Sequence, residues 1–124
     1  MKKIGLYVQI TLVSLAFAAC AGHGTSPTSG IYSGRTHQLI AKHSGKCLDV
    51  SGFSQANGTN IIQQDCHGGP NQQWTFIPKG HGYYELTAKH SGKCLDVSGF
   101  SQASGTNVIQ QDCHGGPNQL WMLK

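Results

Sequence analysis

Hydrophobic positions in this chain fall in short clusters, and past the first twenty residues none recurs at helical spacing. Residues 38–42 and Cys47–Val50 are brief apolar runs on either side of His43-Ser44-Gly45-Lys46, a glycine-bearing turn that predicts a hairpin. Residues 60–64 carry the β-branched pair Ile61-Ile62 just after the turn residues Asn57-Gly58. Residues 73–77 follow Gly68-Gly69-Pro70-Asn71, which is nearly pure turn chemistry. The pattern predicts four short strands in some 47 residues and an all-β fold. It is then repeated. Residues 41–74 recur as residues 88–121 at an offset of 47, and only three of the 34 positions differ: Asn57/Ser104, Ile61/Val108 and Gln73/Leu120. A fixed period in this range marks an architecture of stacked or closed units.

The start of the chain follows different rules. Lys2 and Lys3 precede an apolar run over residues 4–19, interrupted by Gly5, Gln9, Thr11 and Ser14. A charged start, an apolar centre and small residues describe a bacterial export signal, expected at 1–19. A spanning helix needs about 20 strongly apolar residues and flanks that stop transfer. Phe17-Ala18-Ala19-Cys20 resembles the lipobox of bacterial lipoproteins, which implies acylation of Cys20 and a lipid anchor. Ordinary cleavage after Ala18 is the alternative. Residues 20–36, rich in Gly, Ser, Thr and Pro, read as a flexible tether. The folded domain is expected at 37–124, with units at 37–83 and 84–124.

Charge narrows the partners. Loss of Lys2 and Lys3 with the signal lowers the formal charge from +4 to +2, and the remaining basic residues form no run. Nucleic-acid binding needs a concentrated positive face, so no nucleic-acid partner is expected. Membrane contact is expected only through the lipid anchor. Five cysteines leave one over: Cys20 stands apart, while Cys47, Cys66, Cys94 and Cys113 lie in the repeats, 19 residues apart in each. In an exported chain this spacing suggests Cys47–Cys66 and Cys94–Cys113 disulfides, among three formal pairings. Zinc is the rival reading, since His67 and His114 follow cysteines, but the short paired ligand spacing of structural zinc sites is missing. No metal or cofactor is expected.

Cys47-Leu48-Asp49-Val50, Gly58-Thr59, Asp65-Cys66 and Asn71-Gln72-Gln73-Trp74 together resemble one unit of the ricin B-type lectins, the QxW domains that include family 13 carbohydrate-binding modules. The second unit matches with Cys94-Leu95-Asp96-Val97, Gly105-Thr106, Asp112-Cys113 and Asn118-Gln119-Leu120-Trp121. The resemblance implies a β-trefoil of three such units about a pseudo-threefold axis. Two units make an incomplete trefoil, leaving apolar faces at Leu39, Val50, Ile62, Trp74 and their equivalents. Repeats that bury a core only against neighbours generally need about three units. Either chains associate into homo-oligomers that complete trefoils, or the chain is a truncated product.

A sugar offers vicinal hydroxyls, each donor and acceptor, and one apolar C–H face. Its site needs a carboxylate to accept, an amide to donate and accept, and a flat surface. The resemblance places the carboxylates at Asp49 and Asp96 and the amides at Asn71 and Asn118, supported by Gln72 and Gln119. The flat platform falls at Gln64 and Gln111, where relatives often carry an aromatic ring. His67, His114, Phe53 or Phe100 could stand in for it. Blander readings are that Asp49 caps the turn at Gly52, that Asn71-Gln72 satisfies its own backbone, and that the repeated histidines merely shape turns. Trp74 and Trp121 are expected in the core. Glycoside hydrolysis wants two carboxylates about 5–10 Å apart in different environments, and no such pairing or nucleophile–base motif stands out. The expectation is a non-catalytic, carbohydrate-binding exported lipoprotein. Galactose-, xylan- or arabinan-type glycans all suit the family. The alternatives are a truncated accessory module of a glycoside hydrolase and a structural or adhesive envelope protein without sugar binding.

Overall fold

The computed structural model describes residues 33–124. The expected export signal, Cys20 and most of the expected tether lie outside the described residues.

Among the described residues eight antiparallel strands follow one another: β1 (Thr36–His37), β2 (Cys47–Val50), β3 (Thr59–Gln64), β4 (Trp74–Gly80), β5 (Tyr83–Ala88), β6 (Cys94–Val97), β7 (Val108–Gln111) and β8 (Trp121–Met122). Single 3-10 turns at Ser51–Phe53, Pro70–Gln72, Ser98–Phe100 and Pro117–Gln119 punctuate them. The sheet order is β1-β4-β5-β6-β7-β3-β2, with β8 on β5. In each unit the Cys-Leu-Asp-Val strand pairs with the Gln-Gln end of its partner: Cys47 faces Gln64, and Cys94 faces Gln111. Asp49 faces Ile62, and Asp96 faces Ile109. The units join where Thr59 and Asn60 of β3 pair with Gln110 and Ile109 of β7. They are also continuous through the β4–β5 hairpin.

Two expectations change here. The strand expected at residues 38–42 is reduced to a single bridge, Ile40 to Cys47. Its counterpart in the second unit is the full strand β5, because β4 lies alongside to complete a ladder. A strand persists only where its backbone groups find partners. Ile62, expected on the apolar face, is instead 36% exposed. On β3 every second side chain faces the core, and that face carries Ile61, which packs against the core.

The core consists of Val50, Trp74, Phe76, Tyr84, Leu86, Ala88 and Leu95. Trp74 is fully buried and its indole Nε1 donates to Leu48 O at 3.1 Å, tying the end of the unit back to β2. Trp121 repeats this bond to Leu95 O at 3.0 Å, yet remains partly exposed. Disulfides Cys47–Cys66 and Cys94–Cys113 close the two loops as the spacing suggested. Closing loops of this size stabilises the fold by about 3 kcal/mol each in the chain-entropy account.

Candidate functional site

The site begins with a carboxylate that the fold buries deliberately. Asp49 lies on β2 and is 2% exposed. An isolated buried carboxylate is very costly, so it must be hydrogen-bonded. Gln72 Nε2 donates to Asp49 Oδ2 at 2.8 Å and Asn71 Nδ2 donates to the same oxygen at 3.3 Å. His67 Nε2 stands 3.7 Å from it. These contacts all fall on Oδ2; among the described residues Oδ1 makes none, so it can accept from a ligand hydroxyl. Asp49 makes no hydrogen bond to the Ser51–Phe53 turn, so it does not act as that turn's cap.

Gln72 is the hub behind the carboxylate. Its Nε2 also donates to Asp65 O at 2.9 Å, and its Oε1 accepts from the His67 backbone N–H at 2.9 Å. Being fully buried, Gln72 supports the site and lies behind it. Gln119 does the same for Asp96, with bonds of 2.8 Å to Oδ2, 2.9 Å to Asp112 O and 3.0 Å from His114 N. These two glutamines, expected among the sugar-binding residues as supports for the amides, bond to three elements each and are absent from the lining of either cleft.

Asn71 reaches further forward. Its Nδ2 donates to Val50 O at 3.1 Å, while its Oδ1 is buried without a donor. Asn118 donates to Val97 O at 3.1 Å, and its Oδ1 likewise lacks a donor. An unsatisfied buried acceptor costs about 1–3 kcal/mol. The bland reading of Asn71 as a self-satisfied turn residue does not hold, since its amide bonds to β2.

The side wall is aromatic. Gly52 and Phe53 both adopt left-handed backbone, with φ of 65° and 59°, and this lifts the Phe53 ring to the rim, half exposed. A bulky residue in that region costs about 1–2 kcal/mol, so the surroundings must hold it there. The His67 ring stacks on Phe53 with centroids 5.7 Å apart and planes 20° apart. His67 Nδ1 accepts from Gly69 N at 3.0 Å, which places the ring proton on Nε2, toward Asp49. Any Cβ on Gly69 would lie 2.7 Å from His67 Cε1 and 2.8 Å from Phe53 Cζ, so a larger residue there must displace one of the two rings.

Asp49, Ser51, Gly52, Phe53, Ile62, Gln64, His67 and Asn71 enclose an open cleft of about 300 Å³. Asp96, Ser98, Gly99, Phe100, Ile109, Gln111, His114 and Asn118 enclose its copy, of about 310 Å³. The structure thus gathers Asp49, Gln64, His67 and Asn71, and separately Asp96, Gln111, His114 and Asn118. Sequence reasoning missed Ser51, Gly52 and Ile62 with their counterparts. The adjacency of Ser51-Gly52-Phe53 to the motif Asp49 was the available signal. His43 lies in the turn before β2 and lines neither cleft, whereas His90, in the turn after β5, meets Phe53 at the first cleft. The grouping of Glu85 with Cys94 and Cys113 is a carboxylate beside a closed disulfide, which leaves no thiolate for a metal.

The profile of the ricin-type β-trefoil lectin domain-like family matches residues 29–111 and again 70–124. The chain belongs to this family. Among solved structures it resembles the designed 3-fold symmetric protein ThreeFoil at 51% identity and a TM-score of 0.69, covering 69% of this chain and 61% of that one. It also resembles 1,3Gal43A, an exo-β-1,3-galactanase from Clostridium thermocellum, at 37% identity and a TM-score of 0.70, over 73% of this chain and 20% of that one. A ricin B-like lectin of Macrolepiota procera, solved with lactose, matches at 32% identity and a TM-score of 0.58, over 65% of this chain and 55% of that one. The chain therefore spans less than two thirds of each of these proteins. In this member of the family the described strands make an incomplete trefoil, two sectors of a threefold whole.

Proposed function

We propose that this chain is a non-catalytic carbohydrate-binding lipoprotein, exported by a bacterium and held at the cell envelope through Cys20. The observation that carries the binding reading is the Asp49 carboxylate, with Oδ1 uncommitted, set beside Asn71 in an open cleft under a Phe53–His67 wall. Vicinal sugar hydroxyls answer that carboxylate oxygen by donating to it. The rings offer an apolar face at the rim, while Gln64 and Gln111 supply hydrogen bonds in place of the platform. Each cleft is shallow, so affinity per site is on the order of mM, and two copies per chain add avidity on a multivalent surface.

Galactose-type glycans are the first choice of ligand. The Macrolepiota lectin was solved with lactose and the Clostridium relative is a galactanase, and both resemble this chain above 30% identity. Xylan- and arabinan-type glycans are the other arms. A glycan array probed with the folded protein should light up on clustered galactosides, and silence on all glycans would remove the reading. Labelling with a clickable fatty acid should mark the wild type and spare C20S; label on neither would remove the anchor.

The second reading is an accessory module of a glycoside hydrolase, favoured by the match to one fifth of the galactanase. A catalytic domain encoded beside this sequence would support it. Oligomerisation to complete the trefoil takes a specific form. An intact second copy cannot supply one missing sector, since its other unit would collide with a sector already filled. Closure in a homo-oligomer therefore requires one chain to open its own junction and share its units between two trefoils. Sedimentation of the soluble protein would separate this from a monomer.

A further inference from the structure

The two clefts are written in the same letters but stand in different surroundings. At the unit junction, the turn after β5 brings His90 over the rear of the first cleft. His90 Nε2 lies 2.8 Å from Ser54 O, its backbone N–H donates to Pro70 O at 3.3 Å, and Gln55 Nε2 donates back to His90 O at 3.5 Å. The His90 ring meets Phe53 edge to face, with centroids 6.2 Å apart and planes at 85°. Phe53 is thus clamped between His67 on one side and His90 on the other.

Phe100 has only one of these neighbours. His114 stacks on it at 5.6 Å, but no ring among the described residues stands where His90 stands in the first unit. An open depression of about 190 Å³ occupies that place, lined by Val97, Phe100, Ser101, Gln102, Pro117 and Asn118. The counterparts of Val97 and Asn118, Val50 and Asn71, are 0% and 2% exposed, whereas Val97 and Asn118 are only partly buried. The amides differ as well. Asn71 donates to both Val50 O and Asp49 Oδ2, but Asn118 donates to Val97 O and not to Asp96.

We infer that the first cleft is the stronger sugar site, and that His90, contributed by the second unit, is the positioning residue that makes it so. This rests on the carbohydrate-binding reading above. A left-handed phenylalanine is strained, so its ring holds one position only if neighbours fix it. A clamped ring and a doubly anchored amide lose less freedom on binding than a ring and amide open on one side. Edge-to-face ring contacts of this kind correspond to about a 2- to 10-fold change in affinity. The junction between units is therefore part of the first binding site.

The repeat supplies its own control. His43 occupies the same place in the same Lys-His-Ser-Gly-Lys turn, but is exposed and lines neither of the two repeated clefts. The test is a site-resolved NMR titration of the wild type, His90→Ala and His43→Ala with galactose, xylobiose and arabinobiose, following the side-chain amides of Asn71 and Asn118. In the wild type, Asn71 should respond at about 2- to 10-fold lower sugar concentration than Asn118. His90→Ala should bring the Asn71 midpoint to that of Asn118 and leave Asn118 unmoved, while His43→Ala should shift neither. A merely structural loss would weaken both sites together. Equal midpoints in the wild type, or an Asn71 midpoint indifferent to His90→Ala, would overturn the inference and leave sugar binding standing. Folded protein that responds at neither amide to any of the three sugars would overturn the binding reading itself.

Discussion

Gln110 Nε2 donates to Ser54 O at 2.7 Å and to Ala56 O at 2.9 Å, stitching the second unit to a loop of the first. Its Oε1 accepts from Ser91 Oγ at 2.9 Å, so its amide is largely committed in a fully buried position. Gln63, the same residue of the first unit, keeps only the corresponding bond from Ser44 and is exposed. Removing a buried amide strands its partners at about 1–3 kcal/mol, whereas exposed substitutions stay within about 0.5 kcal/mol. Gln110→Ala should therefore destabilise the fold by about 2 kcal/mol and Gln63→Ala by less than about 0.5 kcal/mol. Urea titration of the two variants checks this, and equal losses would contradict the junction as described.

Gln72→Ala should cost about 2–3 kcal/mol, because it takes a charge-assisted donor from the buried Asp49. Asp49→Asn should be milder in stability but should disable the first cleft. Thermal melts alongside sugar titration separate the two effects.

At Gly69 the backbone is ordinary, so alanine there acts through space alone: its Cβ would press on His67 and Phe53 and push a ring aside. Gly69→Ala should cost about 1–3 kcal/mol as overpacking, and should weaken sugar binding at the first cleft by displacing the aromatic wall. Gly116→Ala should do the same at the second. Site-resolved titration of each variant would show loss at one cleft only.

Two exposed carboxylates carry the acid sensitivity that can be assigned. The Lys46 ammonium, bonded to Asp65 at 2.7 Å, holds that carboxyl below its usual range. The Asn57 amide, bonded to Asp112 at 2.9 Å across the junction, holds Asp112 low; desolvation opposes it and Lys93 adds to it. With folded values below the unfolded value of about 3.9, each contribution is complete above that pH. Each is lost as pH falls through the folded value. Asn57→Ser, which copies the natural Ser104, should return Asp112 toward its ordinary titration and leave Asp65 unchanged. A carboxyl-carbon NMR titration reads both.

Sequence disclosed the repeated chemistry and hid the differences between the copies. The Cys-Leu-Asp-Val strand, the disulfides and the buried tryptophan follow from local letters, and the structure places them as read. Which copy of the first glutamine in the Gln-Gln pair is buried does not, because Gln63 and Gln110 have identical immediate neighbours in sequence. Their environments part only when the second unit meets the loop at Ser54–Ala56. For the same reason residues 38–42 stay a bridge while β5 becomes a full strand: the partner strand is a tertiary fact. The left-handed Phe53 was also hidden, since Gly52 signals a turn without saying that the following ring will stand at the rim of a cleft.

Affinity electrophoresis through gels containing galactan, xylan or arabinan tests the central claim most directly, with wild type compared against the Asp49→Ala/Asp96→Ala double variant. The wild type should be retarded in at least one polysaccharide, galactan first, and released by its free sugar, while the folded double variant migrates as in a blank gel. Wild-type protein that is folded yet unretarded in all three, or a double variant retarded as strongly as the wild type, would contradict the account.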